Sequence, residues 1–260
     1  SWNALLIVGL AHAYEAFGDS QFLEEAKRTY SFLKENCYKK QQFFHTFQKG
    51  KPKIEGFLED YAFMTQAAIA LYKTSGKDTF LNDALSFTES VLREFKDEAS
   101  PFFTFTKDPT LFATIVGVDD NVIPSANAVM AENLWTLGQW TGKENYSEKA
   151  EKMLQGVLPY FSQGRSSDYA QWGQLLLKEA YPHYEVVIVG PEAENKTIAF
   201  QKEYYPNVLF QTSTIKSDLP LLKERFFEME TYIYVCQNRV CLRPVESVKE
   251  AIEQMESWEN

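Results

Sequence analysis

Two kinds of apolar segment alternate along the first two-thirds of the chain. Ala4 to Tyr14, Leu58 to Tyr72 and Val122 to Trp140 are apolar around most of a helical circumference. The segments that follow are one-sided, as where Phe22, Ala26, Tyr30 and Leu33 recur at helical spacing with Glu24, Glu25, Lys27 and Lys34 opposite. A glycine separates the members of each pair: Gly18, Gly76 and Gly142. Each is followed by an aromatic residue four positions on (Phe22, Phe80, Tyr146) and by an alanine eight positions on (Ala26, Ala84, Ala150). Glycine closes a helix in the left-handed conformation, the polar residues after it open the next helix, and the aromatic and alanine share one face of that helix. The pattern predicts helical hairpins, each with a buried inner helix and an amphipathic outer one, arranged as part of an (α/α) toroid.

A further helix is expected from Ser167 to Ala180, with Trp172, Leu175, Leu176 and Ala180 on its buried side. Beyond Pro182 the pattern changes. Glu185 to Val189 reads as a buried strand stopped at Gly190-Pro191, residues 194–204 as a helix, Asn207 to Gln211 and Tyr232 to Cys236 as strands, and Val245 to Trp258 as a closing helix. The expected fold is mainly α: a partial toroid over residues 1–181 and a small C-terminal α/β unit over 182–260. Val189-Gly190-Pro191 lacks the additional glycines of a dinucleotide fingerprint.

The 260 residues, 45% hydrophobic, suffice for one large core or two modest ones. A formal net charge of −10 disfavours a nucleic-acid partner, and no apolar run is long enough to span a membrane. With no secretory signal and three cysteines, a soluble, cytoplasmic protein is the expectation. Ser1 leads straight into a helical pattern, as in a piece of a longer chain.

Chemistry-bearing residues gather where the buried helices begin. Trp2 and Asn3 open the first, Glu59, Asp60 and Tyr61 lie in the first turns of the second, and Asp119, Asp120, Asn121, Ser125 and Asn127 lead into the third. Parallel inner helices bring these starts to one rim, where carboxylates, amides and aromatics suit a polyhydroxylated ligand. Glu59, Asp60 and Asp120 are the candidate acids or bases; Trp2, Asn3, Tyr61, Asn121, Ser125 and Asn127 are the candidate ligand contacts. Adjacent Glu59 and Asp60 point apart on a helix, so a working pair is expected to span two hairpins, one of them against Asp119 or Asp120. The same residues also suit plain helix capping. His12, inside the first buried helix, suits a proton-transfer residue facing the central cavity but is read first as a hydrogen-bonded core residue, while His45 and His183 fall in loops or at helix ends without metal-ligand spacing. No metal site and no cofactor are expected. The aromatic strips Gln42 to Phe47 and Phe102 to Phe105 suit either the mouth of a funnel, stacking against sugar rings, or cover for the core, the preferred reading. Asn238-Arg239 suits a two-residue turn that sets Cys236 opposite Cys241, a structural or redox-sensitive pair.

Ser1-Trp2-Asn3, Leu58-Glu59-Asp60-Tyr61-Ala62, Asp120 to Asn127, and Cys236 with Cys241-Leu-Arg-Pro244 together resemble the thioredoxin-domain-containing family related to spermatogenesis-associated protein 20. The resemblance covers nearly the whole chain, with Ala126-Asn127 standing where the family commonly has Gly-Asn. It implies a toroid similar to N-acylglucosamine epimerases and six-hairpin glycosidases, preceded in the family by a thioredoxin-like domain that this chain does not include. Two functions follow as expectations: a sugar-binding or sugar-transforming toroid with a carbohydrate ligand, or a noncatalytic client-binding or scaffolding module for the N-terminal thioredoxin-like domain.

Overall fold

The computed structural model describes residues 1–108, 110, 113–161 and 166–258. Helices α1 (Trp2–Phe17) and α2 (Ser20–Cys37) form the first hairpin. Three strands follow, β1 (Tyr38–Lys39), β2 (Gln42–Gln48) and β3 (Lys51–Glu55), then the hairpins α3 (Leu58–Ser75) with α4 (Asp78–Glu94) and α5 (Ala126–Thr141) with α6 (Glu144–Phe161). A 3₁₀ turn (Ser166–Tyr169) leads into α7 (Ala170–Ala180).

Each corner is built as its glycine dictates. Gly18, Gly76 and Gly142 adopt φ of 70°, 61° and 72°, and their N–H groups return to the carbonyls of Tyr14, Tyr72 and Gly138. Helices α1, α3 and α5 pack side by side as the inner layer, each backed by its outer partner, and α7 continues the arc beside α5. The mainly α, partial-toroid architecture is the one the hydrophobic pattern predicts. Helices α3 and α5 are buried around most of their surface, with Phe63, Leu71, Leu134 and Trp140 wholly enclosed. α1 is less so, because its one inner neighbour is α3, and Leu6 and Phe17 stay exposed. The third inner helix starts at Ala126 rather than Val122: the chain bends through Asn121 to Pro124, where the Asn121 N–H donates to the Ile123 carbonyl, and the Ser125 hydroxyl caps the Ala128 N–H.

The rest of the chain forms a second sheet, ordered β5-β4-β6-β7, from β4 (Tyr184–Val189), β5 (Val208–Ser213), β6 (Tyr232–Gln237) and β7 (Val240–Cys241). β4 pairs parallel with β5 through the crossover helix α8 (Ala193–Gln201) and antiparallel with β6, and α9 (Val248–Trp258) packs with α8 over one face. This unit sits on the glycine corners. A Cβ added to Gly76 would lie 2.9 Å from the Thr212 carbonyl oxygen, and Lys73 lies over the Phe210 ring at 5.7 Å. The corner glycine thus serves both the left-handed turn and a close approach of backbone to sheet. The inner helices begin at the opposite rim.

His183, at the junction, packs edge-on to Trp135 at 4.9 Å, and its Nε2 is buried with no hydrogen-bond partner among the described residues. Burial, reinforced by Lys178, holds its pKa below the ordinary 6.5. The unfolded chain therefore takes up the proton first, so the stability this residue contributes is present above pH 6.5 and is lost as pH falls below it. Urea unfolding of the parent and of His183→Phe at about pH 7 and about pH 5 checks this. The parent midpoint should fall further over that interval than the variant's.

Candidate functional site

The rim is organised by a β-hairpin that the sequence pattern hides in an aromatic strip. Lys49 and Gly50, both at positive φ, turn the chain between β2 and β3, so that Thr46 opposes Lys53 and Gln48 opposes Lys51. Alternate side chains of a strand share a face, so Phe43 and His45 project together. Phe43 is buried against Tyr61 and Phe87, its N–H donates to the Tyr61 hydroxyl at 3.1 Å, and its carbonyl accepts from Gly56. That anchor aims His45 at the first turn of α3.

Asp60 is the centre of what results. Its Oδ2 accepts the Phe57 N–H at 2.9 Å, closing the helix start; its Oδ1 accepts from the Ser1 nitrogen at 3.1 Å; and His45 Nδ1 lies 3.1 and 3.0 Å from the two oxygens. Asp60 is only 3% exposed, so these donors replace the water it gives up. Glu59 Oε1 accepts the Ser1 hydroxyl at 3.0 Å and lies 4.0 Å from His45 Nδ1. His45, Glu59 and Asp60 each offer one atom within 4.8 Å of the other two. Two sequence expectations are corrected here. His45 is a strand residue paired with a carboxylate, not an isolated loop residue, and the Glu59 and Asp60 carboxylates converge because the longer Glu59 side chain folds toward Ser1. Asp60 already accepts on both oxygens and meets a donor nitrogen, which suits holding an imidazole more than holding a cation. Nδ1 is bound to Asp60, the side chain is 29% exposed, and Nε2 has no hydrogen-bond partner among the described residues. Phe57 flanks the imidazole at 5.0 Å and itself stacks on Phe105 at 4.6 Å.

The other rim residues divide by what they touch. Trp2 is 66% exposed and Asn3 is exposed beside it, both available to a ligand. Asn121 is exposed, its Oδ1 accepting the Val122 N–H. Tyr61 is wholly buried against Phe43 and Phe95, which puts its ring in the core rather than at the surface. Asn127 is 1% exposed and binds the Phe103 N–H, the Phe103 carbonyl and the Gly117 carbonyl, strapping the preceding loop to α5. Ser125 donates to the Gly117 carbonyl besides capping α5. Asp120 accepts the Ser125 N–H through Oδ1 and the Gln171 N–H through Oδ2, each at 2.8 Å, and so clamps the starts of α5 and α7 together. Both Asp120 oxygens are thus engaged by backbone N–H groups of the two helix starts.

His12 is exposed on α1, not a core residue, and its charged neighbours are Glu15, Lys73 and Glu132. Ion pairs tie this inner face together, Lys73 to Glu15 at 3.2 Å and Lys178 to Glu132. On the hairpin's other side a cleft of about 510 Å³ is lined by Gln42, Glu55, Glu94, Lys107 and Asp108, with Lys107 bridging Glu55 and Glu94 at 3.0 and 2.9 Å.

No family model matches the chain. Over aligned stretches covering 94% of this chain it is 25% identical to spermatogenesis-associated protein 20 of Mus musculus and 26% identical to that of Homo sapiens. The chain is thus similar along nearly its whole length to part of spermatogenesis-associated protein 20. An uncharacterized Caenorhabditis elegans protein is 25% identical over 96% of the chain. The chain spans about a third of the length of these relatives, 34–36%. Among solved structures, a GH76 α-mannanase from Bacteroides thetaiotaomicron superposes with a TM-score of 0.54 at 13% identity, covering 99% of this chain and 70% of that one. Cellobiose 2-epimerase from Bacillus thermoamylovorans gives 0.50 at 15% identity, covering 59% and 42%. Both likenesses are of fold. The chain thus shares its helical-hairpin architecture with that α-mannanase and that cellobiose 2-epimerase. No helix among its described residues is long and apolar enough to cross a membrane.

Proposed function

We propose that this arc carries part of the binding rim of a sugar-transforming toroid, with His45 as the proton-transfer group. The observation that carries the reading is His45 Nδ1 on both oxygens of buried Asp60, with Glu59 alongside, at the start of an inner helix. An imidazole oriented by a carboxylate through one nitrogen presents the other for acid–base work, the chemistry that sugar epimerisation and glycoside cleavage share. In this reading Asp60 positions and polarises the ring, Glu59 is the second proton-exchanging group, and exposed Trp2 stacks against the sugar face with Asn3 and Asn121 as hydroxyl contacts. Tyr61, Ser125, Asn127 and Asp120 shape the rim from beneath. The sugar class of the fold neighbours supports the choice of ligand.

A toroid pocket takes walls from the whole ring, so the test belongs to the full-length protein. Incubation with a panel of aldoses, N-acyl sugars and glycosides, followed by chromatographic analysis of products, should show transformation of at least one class, lost in Glu59→Gln. A panel with no turnover, or turnover that Glu59→Gln retains in full, overturns the assignment.

A further inference from the structure

The α/β unit holds a second cluster of reactive groups, remote from the rim. Cys236 on β6 and Cys241 on β7 are register partners across a two-residue turn, Asn238 and Arg239, both at positive φ, and their sulfurs are joined as a disulfide. Above this pair lies the guanidinium of Arg225, with Nη1 3.7 Å from Cys236 Sγ and Nη2 3.2 Å from Cys241 Sγ. Its placement is determined by packing. Leu221 and Leu222 bury against Val187 and Val189 of β4, the Arg225 N–H donates to the Leu222 carbonyl, and the guanidinium lies 4.7 Å over the Tyr234 ring. Disulfide sulfurs are poor acceptors, so a charged five-donor group aimed at both is matched less to the disulfide than to the thiolates it becomes.

The two sulfurs differ in access. Cys236 is wholly buried, whereas Cys241 is partly exposed on β7, the edge strand of its sheet, between the exposed apolar side chains of Val240 and Leu242. We propose that Cys236–Cys241 is a dithiol–disulfide exchange site: an incoming dithiol attacks Cys241 from the open sheet edge, and Arg225 holds the charge of the departing Cys236 sulfur. A thiolate of the dithiol forms a bond to Cys241 Sγ as the Cys236–Cys241 bond breaks, and Cys236 leaves with the electron pair as a thiolate under Arg225 Nη1. The second thiolate of the dithiol then attacks its own sulfur in the mixed disulfide and releases Cys241 beneath Nη2. In sum, two electrons and two protons pass from the dithiol to the pair, and the dithiol ends as a disulfide. The other ionisable groups around the sulfurs are Glu185 of β4, which accepts the Arg239 N–H at 2.9 Å, Arg239 itself in the turn, and Tyr234 beneath Arg225. The same turn seats Arg239 against the α5–α6 corner, where Arg239 Nη2 comes within 3.7 Å of a Cβ placed on Gly142. This site stands independently of the rim reading.

The test is thiol labelling of the full-length protein, read peptide by peptide by mass spectrometry. Dithiothreitol is the reductant and iodoacetamide the label; buried Cys37 is the internal control. Native protein should be reduced at Cys236–Cys241 with its circular dichroism unchanged and with Cys37 unlabelled. In the reduced protein Cys241 should alkylate at about pH 7 roughly tenfold faster than in Arg225→Met, with Arg225→Lys intermediate and the half-maximal pH of labelling raised in the methionine variant. Label that reaches the pair only after denaturation, or parent and Arg225→Met profiles that coincide, overturns the proposal. If Arg225→Met does not fold, the parent profile decides: half-maximal labelling of Cys241 below about pH 8.5, the free-thiol value, supports the site, and at or above it contradicts the site.

Discussion

On the proposed sugar chemistry, His45→Ala in the full-length protein should lower kcat/KM for a saccharide by about 10²–10⁴-fold, the range a single positioned proton-transfer group contributes. The same change should move stability by no more than about 1 kcal/mol. The side chain is 29% exposed, and Asp60 keeps the Phe57 and Ser1 donors when the imidazole is gone. The two effects separate for that reason. Steady-state kinetics paired with urea unfolding of the same preparations checks both. A fall in activity matched by a collapse of stability would place His45 in the scaffold, and unchanged kinetics would remove it from the chemistry. Asp60→Asn is a weaker diagnostic, because Asp60 closes the start of α3 as well as holding the ring, and its loss disturbs the helix and the imidazole together.

Gly190→Ala is the substitution expected to cost most in stability, at least about 3 kcal/mol from backbone strain and overpacking combined. Gly190 ends β4 with φ of 133°, outside the range that side-chain-bearing residues adopt readily, and a Cβ there would lie 2.2 Å from the Glu230 carbonyl oxygen and 2.6 Å from Thr231 Cα. These neighbours are backbone atoms of the segment that enters β6, so relief requires moving β6 against β4 along their shared ladder. Gly190 also donates to the Ser213 carbonyl and accepts from the Ala193 N–H, fixing the start of α8. The expected result is a large drop in the urea midpoint or failure to accumulate folded protein. A midpoint within the range of ordinary surface substitutions, about 0.5 kcal/mol, would contradict this account of the β4–β6 junction.

The corner glycines show what local chemistry makes legible. Gly18, Gly76 and Gly142 are readable because the left-handed cap depends on a glycine and its immediate neighbours, and the amphipathic helices after them are readable because period and burial coincide. Asp120 and Asn127 mark the limit. Their residue types fit ligand contacts and struts equally well. What separates the two roles is the partner each finds: the Gln171 amide 51 positions away for Asp120 and the Phe103 backbone 24 positions away for Asn127. His45 was obscured for a related reason. Its partner Asp60 lies across a hairpin whose signals, Lys49-Gly50 and the alternation of Phe43, His45 and Phe47, sit inside a strip rich enough in aromatics to read as core cover. The Cys236–Cys241 pairing, by contrast, is visible in the sequence because a two-residue turn fixes register outright, whereas Arg225 arrives from a loop with no pattern of its own.

The most direct test of the rim reading is the imidazole NMR spectrum of the full-length protein, titrated with a saccharide from the panel and assigned by comparison with His45→Asn. The account predicts that the resonance missing from the variant shifts on binding, while those of His12 on the inner face and His183 at the junction stay in place. A saturating saccharide that leaves the His45 signal unmoved, or that moves His12 instead, would contradict it.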